Sequence, residues 1–216
     1  MNRIYFICRF LPLNYIMRLR SRFGYGVQSP SRYSFIRHVL YQRLTYYAYS
    51  SLPPVNGNSS TSRLLFRLIN FVQPKEVFIF SPFTTEKEKN HVKSLFSVFN
   101  SGCLSSNLHV KSFSDTLSIE NICKPNLYKK VKCFYYIDKS FGANSLLQSL
   151  VSIAQQSPIG TLFYIEGIFL SKPHYLRWLD FIENLKNQKI SFVAYEMNKR
   201  GLLLIDNNGC SKVFSI

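Results

Sequence analysis

From Glu76 onward the chain alternates between two periodicities, and that alternation limits the folds open to it. Short strand-like runs (Val77 to Phe80, Leu108 to Phe113, Lys132 to Asp138, Thr161 to Gly167) are separated by longer stretches with apolar residues every three or four positions. Thr85 to Phe99 reads as a helix with Val92, Leu95, Phe96 and Phe99 on one face, and Thr85 with Glu88 has capping-box spacing. Asn144 to Gln155 reads as a second helix through Leu147, Leu150, Val151 and Ala154. Ser171 to Leu185 is a third, with Pro173 in its first turn and Tyr175, Trp178, Leu179, Ile182 and Leu185 inward. Three strand-like pieces close the chain, ISFVAYE, GLLLID and CSKVFSI, and the NNG before the last is a strong turn signal. The expected fold is α/β: a mostly parallel sheet with helices on both faces and a C-terminal antiparallel hairpin. Ligands in such sheets bind beyond the carboxyl ends of the strands. That rule singles out Ser81 to Thr84, Asp138-Lys139 and Glu166-Gly167.

Upstream, residues 1–59 read as a basic, aromatic-rich helical extension, and 60–216 as the α/β domain. Ser31 to Tyr49 is expected to be helical, with Phe35, Val39 and Leu40 on one face. SSLPPVNGNSS, Ser50 to Ser60, is the clearest loop in the chain. The helix after it ends near Pro74, with Leu64, Leu65, Leu68, Ile69 and Val72 on one face and Arg63 and Arg67 on another.

Charge is unevenly spread. The net charge is +16, and residues 1–75 hold ten Arg and one Lys before the first acid, Glu76. Such a block attracts anionic partners, a nucleic acid or a membrane surface, unless it is simply a solvated basic face. Ile4 to Met17 is apolar, but Arg9, Pro12 and Asn14 interrupt it, so no transmembrane segment is expected. The five cysteines are odd in number and form no CxxC, which argues against zinc or a disulfide framework and points to the cytoplasm.

Taken together, these stretches resemble a known family. RSRFGYGVQSPSRYSFIRHVL is similar to the N-terminal segment, with its HGVHSP-type turn, of a Bacteroidetes group of class I S-adenosylmethionine-dependent methyltransferase-like proteins. YYAY, RLLFRLINFVQPKEVFIF, YYIDKS and the stretch from Thr161 to Ile205 fit the same group. The resemblance implies a Rossmann-like methyltransferase fold, S-adenosylmethionine as cofactor and an unknown methyl acceptor.

It also implies where the site lies, and there the sequence departs from the pattern. The family's glycine-rich turn after the first strand is replaced by Ser81-Pro82-Phe83-Thr84, where Pro82 removes an N–H and Phe83 adds bulk. Ser81, Phe83, Thr84 and Asp115 are the positions left for contacting the cofactor, at a degenerate site. KSFSDTL resembles the family's third strand, which makes the second strand missing or remodelled. Asp138 and Glu166 end the fourth- and fifth-strand positions and are the candidate catalytic acids. Gly167 replaces a second acid that cation-dependent relatives place there, so no metal is expected. The competing reading has Asp138 capping a helix and Glu166 pairing with a lysine. Tyr135, Tyr136, Tyr164 and His174 read as structural.

Overall fold

The computed structural model describes residues 29–81, 84–104, 108–113, 131–139, 144–197, 199–207 and 211–216, with the side chains of 144–148 left aside. A seven-stranded sheet organises them: β1 (Glu76–Phe80), β2 (His109–Phe113), β3 (Cys133–Ile137), β4 (Leu162–Glu166), β5 (Phe192–Glu196), β6 (Arg200–Ile205) and β7 (Lys212–Ser215). Its order is β2-β1-β3-β4-β6-β5-β7, with β2, β1, β3 and β4 mutually parallel. β6 runs antiparallel to both β4 and β5. This is the mostly parallel sheet with a C-terminal antiparallel hairpin expected from the alternation.

Among the described residues, four helices cover the sheet. α2 (Ser59–Val72) and α3 (Glu86–Gly102) pack on one face, where Leu65, Ile69, Leu95 and Phe99 meet Val77, Phe134, Tyr136 and Tyr164. α4 (Asn144–Gln156) and α5 (Lys172–Asn187) cover the other face, against Phe78, Tyr135 and Phe163. On that second face Phe78, Tyr135 and Phe163 form a stacked ladder across three strands, with centroids 4.9 and 4.6 Å apart. Stacked pairs of this kind contribute about 0.5–1.5 kcal/mol each beyond their burial.

Local sequence sets the helix ends. Asn58 caps α2, its side chain accepting from the Ser60 N–H, and Gln73 ends it in the left-handed region at φ 47°. Thr85 and Glu88 form the expected reciprocal capping box at the start of α3. Pro173 sits in the first turn of α5, where a missing N–H costs nothing.

The structure corrects two expectations and settles one pairing that the sequence left open. First, the helix over Ser31 to Tyr49 is two pieces. α1 (Pro30–Phe35) runs into a π-helical turn, Ile36–Leu40, and a separate 3-10 turn spans Tyr47–Ser50. Arg67 supplies the reason: its guanidinium donates to the carbonyls of Val39 (2.6 Å) and Leu40 (3.2 Å) and to the Tyr49 hydroxyl (2.9 Å). Carbonyls that a further helical turn would use are thereby satisfied by a side chain. Phe35, Ile36, Val39, Leu40, Tyr49 and Val55 join the same hydrophobic cluster as α2 and the sheet.

Second, the strand after the NNG turn signal does not lie beside β6. Both edges of β6 are occupied by β4 and β5, so β7 pairs in parallel with the outer edge of β5. Buried Glu196 fastens this corner by accepting from Trp178 Nε1 and Ser215 Oγ, both at 2.8 Å. Third, His109–Phe113 pairs directly with β1. The neighbour of the first strand is therefore present, and the reading of this stretch as the third strand, with the second missing, does not hold.

Candidate functional site

The carboxyl ends of β1, β2, β3 and β4 lie side by side, and the chain stitches them together there. The Asp138 N–H donates to the Phe80 carbonyl at 2.9 Å, and the Ser81 N–H to the Phe113 carbonyl at 3.3 Å. Successive strand residues face opposite sides. Tyr136 on β3 and Asp138 just past its end therefore share the α2–α3 side of this edge with Tyr164 and Glu166 on β4. The two tyrosine rings stack at 5.4 Å and 12°.

Around these two strand ends the structure gathers a polar cluster. Asp138 is 7% exposed. His91, in the second turn of α3, places Nε2 3.6 Å from Asp138 Oδ2 and 3.3 Å from the Tyr136 hydroxyl. Glu166 accepts from the Tyr164 hydroxyl at 3.2 Å and from Asn56 Nδ2 at 3.4 Å. Arg200, at the start of β6, lies over the Tyr164 ring at 6.0 Å and donates to Thr61 Oγ1 on α2. The sequence thus folds five elements onto one patch: the 55–58 turn, α2, α3, the β3–β4 edge and β6.

Burial dominates the electrostatics of this patch. Burial, then the charge of Asp138, raises the Glu166 carboxyl above its ordinary value, with Arg200 and a Tyr136 hydrogen bond opposing. Burial, followed by the Glu166 charge, pushes the Tyr136 and Tyr164 hydroxyls well up, so both stay protonated near neutrality. All three groups are thereby held toward their protonated forms.

Each candidate residue has a definite place. Asp138 and Glu166 come together at this patch. The partners of Glu166 are Tyr164, Asn56 and Arg200, rather than the lysine of the competing reading. Ser81 is buried and extends the sheet through its N–H, while the Thr84 hydroxyl donates to Glu88 Oε2 at 2.8 Å. Phe83 and Asp115 lie outside the described residues, although Asp115 follows the end of β2 by two positions. Gly167 adopts φ 76°, and a Cβ there would stand 2.8 Å from Lys139 Cβ. An acid at 167 is therefore sterically barred, and no group of three or more metal-capable side chains occurs among the described residues.

Sequence reasoning missed His91, Arg200 and Asn56; Tyr136 and Tyr164 are core, as expected, and their hydroxyls also reach the patch. His91 left one usable signal: it lies four positions before Leu95, on the inward stripe of the helix that follows the first strand. His174 instead pairs with Ser171 Oγ at 2.7 Å on α5. Two cations of the basic block turn inward: Arg32 binds Asp206 at 3.0 Å, and Arg67 holds the π-helical turn. Among the described residues no helix is long and apolar enough to cross a membrane.

No protein-family model matches the chain, and no curated protein matches it in sequence. Solved structures of similar shape include an O-methyltransferase from Bacillus cereus in complex with S-adenosylhomocysteine, at 13% identity and TM-score 0.49. That match covers 87% of this chain and 96% of that one. The O-methyltransferase TomG from Streptomyces achromogenes, in complex with S-adenosylmethionine, is similar at 11% identity and TM-score 0.47, covering 76% and 92%. The S-adenosylhomocysteine-bound methyltransferase PaMTH1 of Podospora anserina is similar at 6% identity and TM-score 0.46, covering 92% and 97%.

Proposed function

We propose that this chain is an S-adenosylmethionine-dependent methyltransferase of weakened cofactor affinity, working at the carboxyl edge of β3 and β4. One observation carries the reading. In a sheet of methyltransferase type, Asp138, Glu166 and His91 converge on the edge where such sheets bind ligands. The resemblance of the N-terminal turn and of the β3 to β6 stretches supports it independently.

The residues fit the cofactor's charge. When bound, S-adenosylmethionine supplies an electrophilic methyl on a positive sulfonium. Asp138, held in place through its own N–H, presents a carboxylate suited to that charge. Methyl transfer asks the protein chiefly for alignment and for a group that takes the acceptor's proton. Weak affinity follows from the turn after β1. It offers no glycine, Pro82 has no N–H, and the N–H of Ser81 is engaged by Phe113.

Calorimetric titration with S-adenosylhomocysteine tests this reading. The expected dissociation constant is on the order of 0.1–1 mM, equivalent to about −5.5 to −4 kcal/mol. Absence of heat and of any thermal shift at several times that concentration would remove the proposal.

A further inference from the structure

Arg32 and Arg67 turn inward, but Arg43 and Arg63 stay exposed and make no ion pair among the described residues. They border a loop, residues 41–47, whose apolar side chains also face water. Leu44 is 70% exposed, Tyr46 37% and Tyr47 102%, three large side chains within four positions. Single exposed hydrophobics need no explanation, whereas a cluster beside cations does. The loop is built to hold that cluster out. The Arg67 guanidinium binds the carbonyls of Val39 and Leu40 on one side of it and the Tyr49 hydroxyl on the other. Gln42 Oε1 accepts from the N–H groups of Arg43 and Leu44 at 3.1 and 3.4 Å, which fixes the turn at the tip. The Tyr46 ring packs on Tyr49 and Phe66, with centroids 5.2 and 5.8 Å away, and Arg63 lies over the Tyr49 ring at 5.3 Å. Cation, rings and loop tip therefore form one continuous patch. With both ends pinned, the tip meets a partner at little cost in ordering.

We propose that this patch docks the protein on the surface of an anionic lipid bilayer. Leu44 and Tyr47 enter the headgroup region, while Arg43 and Arg63 stay level with the lipid phosphates. Tyrosine suits that depth, because its ring is apolar and its hydroxyl is wet. The charge fits as well. Residues 1–75 hold ten Arg, one Lys and no acid, so no side chain of that stretch repels an anionic leaflet. The proposal stands apart from the methyltransferase reading, since it uses no residue of the β3–β4 edge.

A single-stranded nucleic acid, the other anionic partner, fits the patch less well. It asks for successive aromatic faces on which successive bases stack. Here the Tyr46 ring is taken up by Tyr49 and Phe66, which leaves Tyr47, and the protruding Leu44 has no π-face. An exposed leucine beside tyrosines and arginines is what an interfacial segment presents to lipid.

Co-sedimentation of the full chain with lipid vesicles tests it. Phosphatidylcholine vesicles holding about a quarter phosphatidylserine should bind about tenfold or more tightly than phosphatidylcholine alone, and the preference should shrink as salt rises. Leu44→Ser combined with Tyr47→Ser should weaken that binding by about tenfold or more. The thermal midpoint should not move, because both side chains already face water. Arg43→Gln and Arg63→Gln should each weaken binding by about fivefold. Ile159→Ser, at an exposed apolar position between α4 and β4, should leave it unchanged. Tyr47→Trp adds a reporter beside the buried Trp178. Its emission should shift to the blue on the anionic vesicles and be quenched by brominated phospholipid. Indifference to phosphatidylserine, undiminished binding by the Leu44–Tyr47 double variant, or an unshifted reporter would each overturn the proposal. So would a single-stranded RNA oligonucleotide that binds more tightly than the vesicles and displaces them. If the double variant does not fold, the lipid preference and the reporter decide.

Discussion

Replacing Arg67 with Met should destabilise the fold by about 2–4 kcal/mol, because one guanidinium satisfies three acceptors. The methionine keeps the apolar stem but abandons the carbonyls of Val39 and Leu40 and the hydroxyl of Tyr49. A buried acceptor left without its donor costs about 1–3 kcal/mol, and hydrogen bonds from charged donors lie at the upper end. Two main-chain carbonyls cannot be rearranged away, while the tyrosine hydroxyl can turn to water. Partial exposure of Arg67 admits some solvent, which trims the simple sum of three such losses. For a chain of this size 1 kcal/mol corresponds to about 2–4 °C, so the midpoint should fall by roughly 4–16 °C. Urea denaturation monitored by the single Trp178 gives the free energy directly. A double-mutant cycle with Tyr49→Phe should show coupling of about 1 kcal/mol. A loss below about 0.5 kcal/mol, within the range of ordinary surface changes, would refute the argument that Arg67 ends the N-terminal helix and anchors it to α2. Anchoring matters to the site as well, since the same segment leads into the turn that carries Asn56 over Glu166.

Glu166→Gln gives a pH signature. Its raised carboxyl means the folded chain holds that proton more tightly than the unfolded chain. The resulting stability is present at acid pH and is lost as pH rises through the raised value. The glutamine variant should therefore gain on wild type as pH rises above the ordinary glutamate range and through the raised value, as followed by urea midpoints; a flat difference would argue against a buried, charge-crowded carboxyl. Gly201→Ala would place a Cβ 2.9 Å from the Trp178 ring, which is itself locked by Glu196. A cost of about 1–3 kcal/mol should appear in thermal unfolding. Burial pushes the Cys133 thiol up to about 12, so it should resist alkylation at neutral pH in the native chain and react on denaturation.

How much of this was legible beforehand depends on the range of the interaction involved. The capping box of Thr85 and Glu88, the Pro173 turn and the period of each helix are local, and the sequence displays them directly. The central parallel strands follow from the same alternation. Pairing choices were less visible, because NNG specifies a turn and not the strand that its far side will meet. The early end of the N-terminal helix depends on Arg67, nearly thirty positions away. Asp138 and Glu166 could be named because each ends an apolar run. His91 joins them only once α3 packs on the sheet, and Arg200 only once β6 slots between β4 and β5.

A crystal structure of the chain soaked with S-adenosylhomocysteine at several millimolar is the most direct test. The account predicts density for the adenosyl group beyond the ends of β1 and β2, with the sulfur near Asp138. An edge that stays free of the ligand under those conditions, in crystals whose site faces open solvent, would contradict it.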